Sequence, residues 1–427
     1  MEDDIKVGKS ILDTGIYLTS NILVAAVPFI LLPLLTRYLN PADYGKLALF
    51  QVLIGGMSIL VGLNIHTLIG RKFYDKISNK ELSYYVGASL QLIALICSFL
   101  LISFVVFGEV IGETISIDTH WLFYGLIVSS STAIIQIRLI LWQVRKKALS
   151  YGVMQIGQSV LNLLATSLLV FYLGLEAEGR IAAQVIAAIA FFLIAIISLK
   201  IDKLLFFFFW KPNFFREILE FGVPLIPHSV GIFLLVSIDR FVIVEKIGIS
   251  EAGLYMVGLQ ISMVYAIFFD AINKVYMPWL FESLNKKCKQ ENVIVINKTY
   301  FGVCVVSVLA LMGYYILSQL VPYLVGPEFF VVSEFLVWLV LGQFFSGLYL
   351  LMSAYIIYSK RTFFLSVITI VSGVLNFFLL IFLCGKLGIR GAAISFCTTM
   401  LLRLVMAFIM ANRVHPMPWA LFVREKS

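Results

Sequence analysis

The sequence predicts an all-α integral membrane protein of twelve transmembrane helices, arranged as two parallel six-helix bundles around a central cavity. Three observations carry that expectation. Of 427 residues, 61% are hydrophobic and only 13% charged, against about 45–50% and about 25% in a soluble domain. The apolar residues gather into twelve runs, each long enough to cross a hydrocarbon layer of ~30 Å, which takes ~20 residues. Basic residues concentrate in alternate loops, and the two halves of the chain look duplicated. The composition alone excludes a cytosolic enzyme, a secreted domain and a disordered chain.

In chain order the runs cover about 11–38, 46–70, 84–107, 121–144, 148–173, 181–199, 217–244, 253–281, 293–324, 329–358, 363–385 and 389–412. They are too rich in Leu, Ile, Phe and Val for barrel strands. The spanning solution is therefore helical, with every backbone group satisfied inside its own segment. The polar gaps are short and hold no soluble domain, and the polar start of the chain reads as no removable signal peptide. The segment 204–210, four phenylalanines ending in Trp210, is too short to cross and is expected to lie in the interface, with Trp210 and Lys211 at headgroup level. These runs divide the chain into a bundle over 1–203, an interfacial linker over 204–216 and a second bundle over 217–427.

Orientation follows from the basic loops. One side carries 22 of the 32 Lys and Arg residues, in clusters such as Arg71, Lys72, Lys76, Lys80 and Arg145, Lys146, Lys147. The other side carries 6: Arg37, Lys46, Arg180, Lys246, Lys386 and Arg390. Both termini are thus expected in the cytoplasm. The net charge of +8 reads as an orientation signal, and no nucleic-acid partner is expected.

The duplication rests on local matches. Ile11-Leu12-Asp13-x-Gly15 recurs as Ile218-Leu219-Glu220-x-Gly222, and Asp43-x-Gly45 recurs as Glu251-x-Gly253 at nearly the same shift. The first run carries Pro28 and Pro33, and the seventh carries Pro224 and Pro227. Six spans is an even number, so the second half enters from the same side and the repeat is parallel. Proline removes a backbone donor, so spans one and seven should bend there and act as gates.

Signals for enzyme chemistry are lacking. Gly8-Lys9-Ser10 resembles the end of a phosphate-binding loop, but Asp3 stands where the first glycine belongs and no strand precedes it. Five cysteines show no metal or redox spacing, the histidines are scattered, and neither a metal nor a cofactor is expected.

The informative residues are ionisable groups within spans, each costing at least ~2.5–3.5 kcal/mol at the bilayer centre. They are Arg138, Asp239, Arg240, Asp270, Lys274 and Arg403. Asp270 and Lys274 share a helical face at i,i+4 and can neutralise each other. Asp239 and Arg240 diverge by about 100° and should find partners on other helices. Arg138 and Arg403 have no acid one turn away and are expected to line a polar cavity. Cations in excess suit an anionic substrate, and the arginine fork suits phosphate or carboxylate. On that reading Arg138, Arg240, Lys274 and Arg403 bind substrate, while Asp239, Asp270 and His66 serve ion coupling or pairing. Asn64, Gln136, Gln155, Gln158, Gln260, Gln343 and Asn376 either bind hydroxyl-rich groups or bridge helices.

Two segments carry a family resemblance. Leu35-Thr36-Arg37-Tyr38-Leu39-Asn40-Pro41-x-Asp43-Tyr44-Gly45 resembles the first-loop signature of bacterial polysaccharide repeat-unit flippases. These are the Wzx-type O-antigen translocases of the multidrug/oligosaccharidyl-lipid/polysaccharide exporter superfamily. Ser237-x-Asp239-Arg240-Phe241-x-Ile243, followed by Gly248-x-x-Glu251-x-Gly253-x-Tyr255, is similar to that family's seventh-span segment. The resemblance covers essentially the whole chain. It implies a MATE-like fold in the bacterial inner membrane, and movement of an undecaprenyl-pyrophosphate-linked oligosaccharide, an O-antigen or capsule unit, to the periplasmic leaflet. Alternating access would drive it, with ion coupling left open. The partners it implies are the lipid-linked glycan, membrane lipid and polysaccharide polymerase machinery, with the chain itself a monomer. Two rivals stand beside it. A drug/cation antiporter of the same superfamily needs an acidic cavity, which four intramembrane cations against two anions disfavour. A membrane-embedded glycan polymerase or ligase needs a large outer loop, and the outer loops here are short.

Overall fold

In lipid a backbone with no water to bond must close its hydrogen bonds within each segment, and this chain does so almost wholly as helix. The computed structural model describes residues 2–75, 77–206, 211–286 and 289–419. The expectations for Lys76, for 207–210 with Trp210, and for Lys287, Cys288, Arg424 and Lys426 lie outside the described residues. Among the described residues eleven helices are long and apolar enough to cross a membrane. The chain is a multi-pass membrane protein.

It divides into two compact units, Met1–Val230 and Gly231–Ser427, so the boundary falls inside the seventh apolar run. The first unit holds α1 (Glu2–Tyr38), α2 (Pro41–Gly62), α3 (Ile65–Tyr74), α4 (Asn79–Ile115), α5 (Thr119–Val144), α6 (Ala148–Thr166), α7 (Glu176–Ile201) and α8 (Pro212–Gly222). A π-helical turn, Ser167–Tyr172, extends α6. The central helix is α5, two-thirds buried, with α2, α3, α4 and α7 packed around it. Small residues bring α7 close: Ala183, Ala187 and Ala195 are all fully buried. Between helices surrounded by lipid, such close backbone approach supplies the packing that hydrophobic burial supplies in water. At one rim Glu178 Oε1 accepts from Trp121 Nε1 at 2.7 Å and meets His120 Nε2 at 3.2 Å, tying the starts of α7 and α5 together.

Local chemistry sets the breaks. Asn40 Oδ1 accepts the Asp43 amide at 2.9 Å, Pro41 occupies the first turn and Asp43 supplies a negative charge there. This is a capped helix start, stabilised by about 1 kcal/mol at the cap and further by the helix dipole. The second apolar run does not stay one helix. Leu63 (φ 41°) and Asn64 (φ 52°) adopt left-handed conformations and separate α2 from α3. The seventh run is in pieces as well: a 3-10 turn, Val223–Leu225, contains Pro224, α9 (Ile226–Val236) follows with Pro227 in its first turn, and Ser237 separates α9 from α10 (Ile238–Ile247). By contrast α1 continues as helix through Pro28 and Pro33. Of the 204–210 segment, the described part packs on α4, with Leu204 buried and the Phe206 ring against Tyr84.

The second unit adds α11 (Ile249–Asn285), α12 (Lys289–Leu324), α13 (Leu336–Tyr358) and α14 (Phe363–Val414). A straight helix of 52 residues would run about 78 Å, far beyond a bilayer. The chain reverses at Gly388 (φ 59°, ψ −142°), a conformation essentially reserved for glycine. Asn376 proves the reversal: its Oδ1 accepts from Thr399 Oγ1 at 3.1 Å and Ser395 Oγ at 3.4 Å. In a straight helix 376 and 399 would stand roughly 34 Å apart. So α14 is a hairpin of two spans, 363–387 and 389–414, at the places of the eleventh and twelfth apolar runs. Gly388→Ala should therefore cost roughly 1–3 kcal/mol, read as a lowered melting temperature of the purified protein. An unchanged melting temperature would mean that the turn tolerates a side chain.

Candidate functional site

The break in the second run creates a polar cavity. Because α3 starts afresh after the left-handed pair Leu63 and Asn64, its residues 66, 70 and 74 form one face at i,i+4 spacing. That face meets α5 and α6 around a space of about 730 Å³, within the roughly 300–1,000 Å³ of small-ligand sites. Gly70 permits the approach, since a Cβ there would stand 2.8 Å from the Ile140 side chain. The polar lining is His66, Thr67, Arg71, Tyr74, Asp75, Gln136, Gln143 and Tyr151. Asp75 also lies 3.8 Å from Lys72, which forms an ion pair with Glu217 of α8. Amide, phenol, imidazole and guanidinium groups can together donate to and accept from a cluster of hydroxyls, the chemistry a glycan presents.

The expected site residues divide between cavity, ion pairs and isolated positions. His66 and Gln136 line the cavity. Arg138 does not. It lies two residues beyond Gln136, about 200° round α5, where its Nη2 donates to Asp202 Oδ2 at 2.6 Å and its guanidinium covers the Trp142 ring at 4.3 Å. Arg145 (3.7 Å) and Lys147 (3.8 Å) converge on the same carboxylate. Asp202 ends α7, beyond the span, and a search one turn along a single helix does not reach it.

In the second unit Asp270 and Lys274 pair at 2.7 Å on an exposed face. Asp239 and Arg240 meet each other, and Asp239 also interacts with Tyr255 of α11: Asp239 Oδ1 accepts the Arg240 amide at 2.9 Å, and Arg240 Nη1 donates to the Val236 carbonyl at 2.9 Å. The carboxyl thus sits in the first turn of α10, where the helix dipole favours negative charge. Arg403 is different. Its guanidinium lies 3.8 Å over the Tyr349 ring, and its Nε, like Arg138 Nε and Nη1 and Arg240 Nε, is buried without a hydrogen-bond partner. Among the described residues it forms no ion pair. Asn376 and Asn64 bridge helices, the latter through Ser229 at 3.2 Å.

One intramembrane cation was missed. Arg180, assigned from sequence to an outer loop, lies one turn inside α7 and donates from Nη1 to Asn162 Oδ1 (2.6 Å) and Thr166 Oγ1 (3.2 Å) of α6. Tyr44, fully buried by the capped start of α2, lies within electrostatic reach of it. The π-helical turn begins at the next residue after Thr166, and such turns often mark functional positions. No carboxylate pairs with Arg180 among the described residues. Among the described residues each unit therefore holds one buried or half-buried arginine without an acidic partner: Arg180 on the sixth span, Arg403 on the twelfth.

Residues 11–284 match the family model described as polysaccharide biosynthesis protein. The chain is 27% identical over 371 residues to Lsg locus putative protein 1 of Haemophilus influenzae, covering 85% of this chain and 88% of that one. It is 21% identical over 392 residues to the probable low-salt glycan biosynthesis flippase Agl15 of Haloferax volcanii, with 88% and 78% covered. Among solved structures, lipid II flippase MurJ in an inward closed conformation superimposes with a TM-score of 0.73 at 16% identity, covering 94% of this chain and 87% of that one. An inward-facing multidrug resistance MATE family transporter of the MOP superfamily gives 0.69 at 13% identity, with 93% and 94% covered. At these identities the structural likeness is one of fold.

Proposed function

Since the chain belongs to the polysaccharide biosynthesis protein family, we propose that it is a flippase for an oligosaccharide carried on undecaprenyl pyrophosphate, an O-antigen or capsule repeat unit. It takes the unit from the cytoplasmic leaflet of the bacterial inner membrane and delivers it to the periplasmic leaflet by alternating access. The basic loops and both termini face the cytoplasm.

Two separate observations support this reading: a cavity lined by hydrogen-bonding side chains in the first unit, and in each unit an arginine with no acidic partner among the described residues. A glycan pyrophosphate has two polar parts, a hydroxyl-rich chain and an anionic link. His66, Gln136, Gln143 and Tyr151 answer the first, and Arg180 and Arg403 answer the second. An arginine kept in a membrane without an acidic partner is costly for folding, which points to a ligand that supplies the negative charge. Arg240 and Lys274 remain supporting cations of the same pathway, and Pro224 and Pro227, at a break already present in the helix, are the gating prolines with Pro28 and Pro33. Ion coupling, if it uses a carboxyl or imidazole within the spans, falls to Asp239, Asp270 or His66. The product passes to the polymerase machinery outside.

The test is transport by the purified protein in vesicles loaded with undecaprenyl-pyrophosphate oligosaccharide, scored by the glycan reaching the far leaflet. Wild type should move it, and Gln136→Leu should slow it roughly tenfold, the loss of one or two hydrogen bonds to hydroxyls. Export of organic cations with no glycan movement would instead make it a drug antiporter. Lengthening of the glycan would make it a polymerase.

A further inference from the structure

A second cavity, of about 620 Å³, opens in the other unit between α11, α12 and α13, and the mechanism above does not use it. It exists because α12 is the least buried of the spans and stands away from α11. Its walls are apolar along most of their length: Phe268, Ile272 and Val275 from α11, Val303 and Val306 from α12, Leu348 from α13. One end is different. There Tyr276 Oη lies 3.1 Å from Thr299 Oγ1 and 3.2 Å from Tyr355 Oη, and Lys298 Nζ stands 5.9 Å above the Trp279 ring. Lys298 forms no ion pair among the described residues. A lysine with its stem on apolar surface, beside Trp and Tyr, is the pattern of the headgroup level of a bilayer.

The groove thus has the polarity of a lipid: apolar along its length, cationic where the headgroup belongs, and cationic without an acid to neutralise it. We propose that it holds the polyprenyl chain of the lipid-linked substrate, with Lys298 at the phosphate nearest the chain. This rests on the flippase reading and deepens it, since it assigns the lipid half of the cargo to a groove within the second unit. A single slot bounded by three helices suits one isoprenoid chain. A phospholipid would have to leave one of its two chains outside.

Gly302 makes the idea testable. It lines the groove, and no heavy atom lies within 4 Å of where its Cβ would stand, so a larger side chain can fill the slot without displacing a helix. The experiment uses the full chain in nanodiscs and a photoactivatable undecaprenyl phosphate as probe. Wild type should be labelled on α11 or α12. Gly302→Phe should lower the labelling roughly tenfold, since blocking contact with even two methylenes has that effect. Lys298→Gln should also lower it about tenfold, the loss of one charge-assisted contact. Unlabelled undecaprenyl phosphate should compete and phosphatidylglycerol should not; equal competition by phosphatidylglycerol would make this an ordinary lipid groove and overturn the proposal. Transport measured on the same variants separates the two readings. Labelling at the groove without glycan transport would overturn the flippase reading and leave the groove assignment standing. Normal transport with no labelling, or with full labelling in Gly302→Phe, would overturn the groove assignment alone.

Discussion

Arg403→Ala should reduce transport of the lipid-linked glycan about a hundredfold while leaving the protein fully folded. The size follows from two charge-assisted hydrogen bonds of the arginine fork to a phosphate, at ~1.5 kcal/mol each and ~1.4 kcal/mol per factor of ten. The folding half of the prediction follows from what surrounds the guanidinium. It stacks on Tyr349 and meets no carboxylate among the described residues, so truncation strands no opposing charge. The lost cation–π contact, of order 0.5–2 kcal/mol, is offset by release of a desolvated cation. The melting temperature of Arg403→Ala should therefore match or exceed wild type, the pattern of a residue kept for function at the expense of stability. Arg403→Lys keeps a point charge but loses the planar fork, and should recover activity to within roughly tenfold of wild type. Proteoliposome transport and thermal denaturation of the three proteins are the measurements. Full transport by Arg403→Ala would remove the cationic-pathway argument from the second unit.

Much of the fold was legible because it is written in long-range composition. Spans of apolar residues and alternating basic loops need no knowledge of contacts. The breaks were legible only where the residue type forces them. Asn40-Pro41-x-Asp43 falls in the gap between the first two apolar runs, and Gly388 in the gap between the last two. The break at Leu63 and Asn64 left no such mark, since neither residue demands a left-handed conformation and the apolar run continues through it. Pro28 and Pro33 mark no break in the helix: α1 continues through both. The duplicated Asp43-x-Gly45 and Glu251-x-Gly253 each prove to be the opening turn of a helix, α2 and α11, with a buried tyrosine within the first motif (Tyr44) and two residues after the second (Tyr255).

The site was less legible, for a geometric reason. Counting charges within one helix finds partners at i,i+4, and so anticipated Asp270 with Lys274. Partners on other segments escape it. Asp202 lies 64 residues from Arg138, in what looks like a loop, and Arg180 was set outside because it stands next to a polar stretch. Gln143, Tyr151 and Arg71 line the cavity through the placement of α3, which depends on the unmarked break. Periodicity from that break would have identified 66, 70 and 74 as one face, had the break been known.

The contrast with Arg403 is Arg138, where we expect the loss to be in folding. Its side chain is only 3% exposed and bonds an Asp202 side chain that is 20% exposed. Removing one partner of such a pair strands the other, at ~3–5 kcal/mol for a fully buried pair. Asp202 keeps Arg145 and Lys147 within 4 Å, so Arg138→Ala should fall near the low end, about 3 kcal/mol. That should show as a large drop in folded protein in the membrane and in melting temperature, with transport per folded molecule unchanged. Burial alone would raise the Asp202 pKa, but the bond to Arg138 and the charges of Arg138, Lys147 and Arg145 outweigh it and hold the carboxyl below its usual range. A depressed carboxylate stabilises the fold above its unfolded pKa, ~3.9, and loses that contribution as pH falls through the native value. Wild type should thus be flat from pH 8 to about 5 and lose stability below about pH 4, whereas Asp202→Asn should start lower and show a shallower acid limb. The double variant Arg138→Met, Asp202→Asn removes both charges and should regain most of the stability, because a buried ion pair and an apolar pair of similar volume are often nearly equivalent. If Arg138→Ala instead folds like wild type and fails to transport, its partner in the working cycle is the substrate phosphate, and the bond to Asp202 is what it exchanges for it.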